Sequence, residues 1–320
     1  MPAHQNFPTA PLARLGGHHG PVHAVTFSAG SGQYILTGAQ DRQIRLFNPT
    51  TQKLVQTYSA HGHEILDVSV SADNSRFASV GGDKMVFVWD VASAQTVRRF
   101  AGHSGRVEAV RFGGEGDAVV VSGSFDGLIK VWDLRANGAG KAMASFGEAK
   151  DAVSSLGVVG GEIWAGSVDG RVRIYDLAAG KVDVDAIGAS VTSVMPTNKG
   201  DAYLVSALDE KLRLMDRSTG RCLQTFCDAE FANEKYRIRS VLGMAEAVAI
   251  SGSENGRILV WDVLTGKVLH RLWHRRDGSR DEQGGTKRNV VAAVAWNQLR
   301  KMWASAGGDG EVVVWGMEEL

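Results

Sequence analysis

The sequence predicts an all-β fold built from seven repeated sheets, and three observations support this prediction. A large apolar residue, in most cases followed by Asp, recurs seven times, at Phe47, Trp89, Trp132, Tyr175, Met215, Trp261 and Trp315. Successive members lie 40 to 54 residues apart, which is close to the length of a four-stranded propeller blade. A polar turn residue stands six positions before each of them, at Asp41, Asp83, Asp126, Asp169, Asp209, Asn255 and Asp309. We therefore expect one blade per repeat.

Short alternating runs within each repeat predict antiparallel strands. Residues 84–89 and 128–132 have the period of two that places alternate side chains on opposite faces of a strand. Residues 76–80 predict a preceding strand that ends in a turn containing glycine. No stretch of comparable length has the period of a helix, which disfavours parallel folds that depend on crossover helices.

The two ends of the chain predict how the ring of blades closes. Residues 11–15 have the pattern of a fourth strand, whereas the seventh repeat stops just after its third strand, near Leu320. If the N-terminal strand completes the last blade, the ring has no open edge. We therefore expect residues 1–320 to form a single seven-bladed β-propeller domain.

The composition restricts the location and the kinds of partner. The 44% hydrophobic content supports a large core, and 35 basic residues balance 35 acidic ones, which argues against general electrostatic binding to nucleic acid or membrane. The sequence has neither an N-terminal basic and apolar leader nor a run of about 18 apolar residues. Cys222 and Cys227, five residues apart, are predicted to point to opposite faces and predict no disulfide. We expect a cytoplasmic and nuclear protein with no membrane segment.

The repeats resemble those of the WD-repeat family, whose signature is Gly-His near the start of a blade and Trp-Asp near its end. Gly17-His18 and Gly102-His103 match, and Ala60-His61 matches with Ala for Gly. The resemblance covers nearly the whole chain and implies a WD-repeat β-propeller. It also implies tetrads in which His, a strand hydroxyl, the turn Asp and the Trp ring nitrogen share hydrogen bonds. These are His61, Ser79, Asp83 and Trp89 in blade two, and His103, Ser122, Asp126 and Trp132 in blade three.

The other blades depart from this tetrad to different degrees. Blade one keeps three members and has Phe in place of the ring donor: His18, Thr37, Asp41 and Phe47. Blade seven also keeps three, with its histidine displaced by an insertion: Ser305, Asp309, Trp315 and His274. Blades four and five have Ala165 and Val205 at the hydroxyl position and no matching His, so we expect them to depend more on apolar packing.

The recurring Ser, His and Asp invite an interpretation as a catalytic triad, which the repetition contradicts. A triad needs one accessible site with an oxyanion hole, whereas this set recurs in separate blades, where buried polar groups need partners. We expect no catalytic residues. His61, His63 and Glu64 make no metal site, because the tetrad role of His61 and the strand alternation leave no third ligand. Glycine clusters at 113–116 and 307–310 match no nucleotide-binding pattern, so no cofactor is expected.

Several stretches resemble the mitogen-activated protein kinase organizer family of WD-repeat scaffolds, whose members also occur in spliceosomal assemblies. These stretches are residues 73–83, 97–100, 149–155, 212–220 and 252–256. The resemblance implies a non-enzymatic scaffold for protein–protein interaction in a MAP kinase cascade, in pre-mRNA splicing, or in both. The implied partners are kinase-cascade members and spliceosomal proteins, with a monomeric propeller inside larger complexes.

The family resemblance also implies a protein-binding face. In WD-repeat propellers the narrow face is lined by residues that flank the first valine of each innermost strand or precede the turn Asp. The matching positions are Pro21, His23, Gln40, Glu64, Leu66, Arg106, Glu108, Phe125, Arg237, Arg239 and Glu254. Phe125 beside Arg106 is a candidate anchor, because aromatic residues and Arg dominate binding hot spots. The alternative for each single position is a solvated loop end.

Residues 120–135 carry an alternative function. They resemble the box ending in Trp-Asp-x-Arg of substrate receptors of cullin-RING ubiquitin ligases, here Trp132-Asp133-Leu134-Arg135, with Arg135 as the adaptor-contacting residue. Most positions of this box also build an ordinary blade, so Arg135 carries the distinction. A polar connection at 275–289 contains five basic residues, and it is either a solvated loop or an arm that contacts acidic protein or RNA.

Overall fold

A computed structural model describes residues 6–136, 140–275, 288–297 and 299–317. In these residues, 28 strands form seven antiparallel sheets of four strands each. A short 3-10 helix at Glu115–Asp117 follows one of the strands. The predicted all-β, seven-bladed propeller is therefore confirmed. In the described part of the chain, no helix is long and apolar enough to cross a membrane.

The strands follow one another along the chain in groups of four. Strand β1 (Ala10–Leu15) precedes blade one, and the first three blades contain the following strands. They are β2 (Val22–Phe27), β3 (Ile35–Ala39), β4 (Ile44–Asn48), β5 (Lys53–Tyr58), β6 (Ile65–Val70), β7 (Arg76–Gly81), β8 (Met85–Asp90), β9 (Thr96–Ala101), β10 (Val107–Gly113), β11 (Val119–Ser124), β12 (Ile129–Asp133) and β13 (Ala144–Phe146).

Blades four to seven continue the same order. They contain β14 (Val153–Val159), β15 (Glu162–Ser167), β16 (Arg171–Asp176), β17 (Lys181–Ala186), β18 (Val191–Pro196), β19 (Ala202–Ala207), β20 (Lys211–Asp216), β21 (Cys222–Phe226), β22 (Ser240–Gly243), β23 (Val248–Gly252), β24 (Arg257–Asp262), β25 (Val268–Trp273), β26 (Val291–Asn297), β27 (Met302–Gly307) and β28 (Val312–Gly316). The first strand of each blade is innermost, and the seven innermost strands surround a central channel.

The last blade is completed by the first strand, as predicted. Its strand order is β1-β28-β27-β26, with Leu15 opposite Val312 and Ala10 opposite Gly316. The residues before β1 extend this closure, since the indole N–H of Trp303 donates to the carbonyl of Pro8 at 2.8 Å. All seven sheets therefore have neighbours on both sides.

The core lies between successive blades because each sheet buries both of its faces. One cluster joins Leu36 and Ile44 of blade one to Ile65, Phe77 and Trp89 of blade two. Glycine is required at several positions where neighbouring blades approach each other closely. A Cβ added at Gly38 would lie 2.6 Å from Cγ2 of Ile65, and one at Gly166 would lie 2.5 Å from Cγ1 of Val191. Both contacts are shorter than packed carbon atoms allow.

Candidate binding face and channel

The two predicted tetrads have the expected hydrogen bonds. In blade two, His61 lies 2.7 Å from both Asp83 and Ser79, and the indole N–H of Trp89 donates to the hydroxyl of Ser79 at 2.8 Å. Blade three repeats this arrangement around Ser122. Each serine hydroxyl therefore forms hydrogen bonds with two buried ring nitrogens, one of His and one of Trp. The tetrad in this way holds the turn against the sheet.

The tetrads of blades one and seven are variants of this arrangement. In blade one, His18 bonds Thr37 at 2.7 Å and Asp41 at 3.0 Å, while Phe47 offers no N–H, as expected. In blade seven, the expectation of a displaced His274 was wrong. Its Nδ1 lies 2.8 Å from the hydroxyl of Ser305, and its Nε2 lies 3.5 Å from Asp309. The ring lies between the strand hydroxyl and the turn Asp, with its two nitrogens exchanged relative to those of His61.

Blades four and five replace histidine with arginine, which the expectation of apolar packing missed. Arg173 donates to both carboxylate oxygens of Asp169, at 3.2 and 2.6 Å, and both side chains are buried. Arg213 makes the same two bonds with Asp209. The sequence signal is an Arg four residues after the turn Asp, which alternation places on the same face of the hairpin. A bidentate pair of this kind takes the place of the tetrad.

Most of the candidate binding residues surround one mouth of the channel, at the end where the innermost strands begin. We call this end the narrow face. A cavity of about 370 Å³ lies there. Eight of the eleven candidates line it, and the sequence missed four others: Tyr236, Val290, Ala292 and Gly308. The eight are Pro21, His23, Gln40, Glu64, Leu66, Arg106, Glu108 and Arg237.

The residue before the turn Asp or Asn has the same place in every blade. In six blades its N–H donates to the carbonyl of the residue just before the innermost strand. In blade six the acceptor is Ala232, which lies farther before the strand. The seven distances are 2.8 to 3.0 Å. In order round the ring the donors are Gln40, Gly82, Phe125, Val168, Leu208, Glu254 and Gly308. Three consecutive blades thus present apolar side chains at this position, and only the first of the three, Phe125, is among the residues predicted from the sequence.

Phe125 is the most exposed of these apolar side chains, with 53% of its surface accessible. The guanidinium of Arg106 lies 4.7 Å from the centre of its ring, and Arg106 also pairs with Glu108. The cation fixes the aromatic ring at the rim without covering it. Phe125 and Arg106 are therefore in contact, as the sequence predicts.

Glu254 and Arg237 act on the segment that leads into blade six. One carboxylate oxygen of Glu254 accepts the backbone N–H groups of residues 234, 235 and 236 at 2.6 to 2.9 Å. Arg237 reaches across the channel, where it donates to the carbonyl of Leu66 at 2.8 Å and pairs with Glu108 at 2.9 Å. Blade six is thereby fastened to blades two and three at the narrow face.

Arg239 lies deeper in the channel than its assignment to the narrow face implied. It donates to the carbonyl of Leu66 and pairs with Asp67, whose side chain is wholly buried. Asp67 also accepts from Arg111 at 2.7 Å and from the N–H of Val110 at 3.0 Å. Burial alone would raise the pKa of Asp67, but the guanidinium groups of Arg111 and Arg239 outweigh it and lower that pKa. Burial lowers the pKa of Arg239 to about 10.

The remaining sequence candidates are at the surface or outside the described residues. The side chain of Arg135 is 73% exposed and lies 3.3 Å from Asp133, whereas Leu134 is buried. Residues 276–287 of the polar connection lie outside the described residues. Cys222 and Cys227 are free. Among the described positions, no group of three or more His, Cys, Asp or Glu residues has the arrangement of a metal site.

Comparisons with known proteins agree with this architecture. A sequence model of the family described as WD domain, G-beta repeat matches residues 9–48, 52–90 and 94–133, which contain strands β1 to β12. WD repeat domain-containing protein 83 of Homo sapiens is 41% identical over 271 residues, covering 85% of this chain and 84% of the relative. The Mus musculus protein of that name is 40% identical over 314 residues, covering 98% and 94%.

A more distant relative is a longer protein, of which this chain matches only a part. Autophagy-related protein 16 of Arabidopsis thaliana is 26% identical over 308 residues, which cover 96% of this chain but 58% of that protein. The mammalian relatives, in contrast, match over most of both chains. Together with the seven blades and the tetrads, their identity shows that the chain belongs to the WD-repeat family.

Proposed function

We propose that this protein is a non-enzymatic scaffold that binds other proteins at the narrow face of its channel. The observation that carries the proposal is the exposed ring of Phe125, held by Arg106 at the rim of the mouth where eight candidate residues converge. Aromatic residues and arginines that are fixed before binding lose little entropy when a partner covers them. Val168 and Leu208 on the next two blades extend the apolar surface beside Phe125.

The finer proposal is a role in a MAP kinase cascade, in pre-mRNA splicing, or in both. It is supported by the stretches at 73–83 and 212–220, which resemble the mitogen-activated protein kinase organizer family. Its partners would then be kinase-cascade members in the cytoplasm and spliceosomal proteins in the nucleus. The balanced net charge favours protein contacts over general binding to nucleic acid. We propose a monomeric propeller that works inside larger complexes.

The test is affinity purification of the tagged protein from nuclear and cytosolic extracts, with and without ribonuclease. Phe125→Ala is compared with Leu264→Ala, a matched control because Leu264 is 85% exposed but lies in the turn between β24 and β25. We expect splicing proteins or kinases to be retained after ribonuclease. Phe125→Ala should lower their recovery about tenfold or more, as the loss of a hot spot does. Equal recovery with both variants would contradict binding at this face.

A second candidate function is that of a substrate receptor for a cullin-RING ubiquitin ligase. The observation that favours it is the 73% exposure of the Arg135 side chain at the end of the Trp-Asp-x-Arg box. An adaptor that recognises this arginine should be lost from the purified complex in Arg135→Ala. Arg171→Ala is the control, since Arg171 is another exposed arginine. Adaptor recovery that is the same in both variants, or absent from the unsubstituted protein, would rule out this alternative.

A further inference from the structure

The second cavity of the channel is larger than the one at the narrow face. It lies where the innermost strands end, has a volume of about 690 Å³ and is lined by residues from all seven innermost strands. We call it the channel cavity. Pockets of this size commonly hold small ligands when a few polar groups converge within apolar walls. Most of its walls are apolar, and its charged groups lie on blades two, three and six.

The charges along the channel do not balance at this end. At the narrow face, Arg106 and Arg237 stand against two carboxylates, Glu64 and Glu108. The charged residues that line the channel cavity are only Asp67, Arg111 and Arg239 among its described residues. Two guanidinium groups therefore face one carboxylate. An unbalanced charge away from bulk water is costly unless a counter-ion accompanies it.

The oxygens of Asp67 are already occupied and cannot neutralise a further cation. One oxygen accepts from the N–H of Val68 at 2.8 Å and from Arg239. The other accepts from the N–H of Val110 and from Nη1 of Arg111. Each carboxylate oxygen has two lone pairs, so all four acceptor sites are in use. In the part of the chain that the structure describes, no second carboxylate lines the channel cavity to balance the positive charge that remains.

Hydrogen-bond donors are also in excess on three neighbouring blades. Arg111 uses Nη1 for Asp67 and the carbonyl of Val110, while its Nε and Nη2 have no acceptor in the described part of the chain. Its side chain is 31% exposed. Ser69 accepts from the N–H of Phe112 and Ser155 from the N–H of Val194, yet neither hydroxyl donates to a described group. All three residues line the channel cavity.

We propose that the channel cavity binds an oxyanion, the phosphate or carboxylate group of a small ligand, through Arg111, Ser69 and Ser155. An oxyanion supplies acceptors without donors, which is what this set of side chains lacks, and it balances the charge of the arginines. The cavity opens at the opposite end of the channel from Phe125, so the ligand leaves the narrow face free. This site is therefore independent of the proposed scaffold function.

The test is thermal denaturation of the full chain with inorganic phosphate or citrate, at constant ionic strength adjusted with sodium chloride. A bound anion stabilises the folded state, so we expect phosphate, citrate or both to raise Tm by about 2 °C or more near saturation. A response to phosphate alone assigns a phosphate ligand, and a response to citrate alone assigns a carboxylate. No response to either anion would overturn the proposal.

Two variants place the response in the cavity. Arg111→Gln should remove most of the anion-dependent rise in Tm, whereas Arg171→Gln, which removes one exposed arginine elsewhere, should keep it. Ser69→Glu should raise Tm without added anion and abolish the response, because its carboxylate takes the place of the ligand. This second variant keeps the proposal testable if Arg111→Gln folds poorly. An unchanged anion response in Ser69→Glu would refute the site.

Discussion

Arg173 donates two hydrogen bonds to the carboxylate of Asp169 in blade four. At the equivalent place in blade two, the ring of His61 forms a hydrogen bond with Asp83. The two solutions differ chemically. The histidine ring also bonds the strand hydroxyl and so links three parts of the blade, whereas the arginine satisfies the turn Asp alone. This explains why Ala165 can stand at the hydroxyl position of blade four without leaving a ring nitrogen unpaired.

Substitution of Arg173 by Met should destabilise the protein substantially. It leaves the buried Asp169 carboxylate without its main partner, and the loss of charge-assisted hydrogen bonds costs about 2 to 3 kcal/mol. Urea denaturation measures this loss. Arg171→Met is the control, since Arg171 is exposed two positions earlier and should change stability by no more than about 0.5 kcal/mol. If the two variants unfold at the same urea concentration, the pair does not stabilise blade four.

Ser79→Ala should cost about 1 to 3 kcal/mol, because it leaves the buried indole of Trp89 without its acceptor and His61 without one of its two partners. The same loss is expected for Ser122→Ala in blade three. Ser145→Ala, at an exposed position of β13, is the matched control and should be nearly neutral. Chemical denaturation distinguishes these cases. A Ser79→Ala variant as stable as the control would show that the tetrad is dispensable.

Stability should fall as the pH is lowered from 7 to 5. Burial lowers the pKa of His18 and of His103 below 6.5, although the neighbouring Asp41 and Asp126 partly oppose it. Because the unfolded chain takes up these protons at a higher pH than the folded chain, protonation favours unfolding. The contribution of both histidines is complete above pH 6.5 and is lost as the pH falls through their folded pKa values. Melting curves at pH 8 to 5 measure the slope.

The variant His103→Gln tests the assignment of that slope. It removes one of the two tetrad rings whose pKa burial lowers, so the dependence of Tm on pH between 7 and 5 should become shallower even though the variant is less stable. His63→Gln is the control, since His63 is exposed and takes no part in a tetrad. A slope that is unchanged in His103→Gln would show that other groups cause the acid sensitivity.

Deletion of residues 1–16 should lower Tm by about 10 °C or more. It removes β1 and leaves one edge of β28 unpaired, and it also removes Pro8, the acceptor for Trp303. Deletion of residues 1–5 is the control, because it keeps β1 whole. Calorimetry provides the comparison. Equal melting temperatures for the two truncated chains would mean that closure of the last blade contributes little.

The sequence predicted features that depend on local spacing. The blade count followed from the recurrence between Phe47 and Trp315, and the tetrads followed from fixed offsets within single repeats. The pairing of β1 with β28 was also predicted, because one repeat lacked a strand at its end and an additional strand stood at the start. In each case the period of the repeat allowed a contact between distant residues to be predicted from short stretches of sequence.

Contacts across the channel were not predicted, for a geometric reason. Arg239 and Asp67 lie on blades six and two, and no repeat pattern relates an inner strand to the one opposite it. Arg239 was assigned to the narrow face because it flanks an innermost strand, yet the segment that leads into β22 places it farther along the channel. Arg173 and Arg213 were missed for another reason. Their signal, an Arg four residues after the turn Asp, is local but does not belong to the His, hydroxyl, Asp and Trp pattern of the tetrad.

Closure of the ring by β1 has a consequence for how the chain is made. The ribosome synthesises β1 first and its partner β28 last, with the other 26 strands between them. Six blades can form as they emerge, but the seventh waits for both ends of the chain, so closure is the most non-local step of folding. Until then, β1 and the outer edge of β28 are open to pairing with other chains. Pairing of β1 with β28 therefore removes the two strand edges through which one molecule could associate with another.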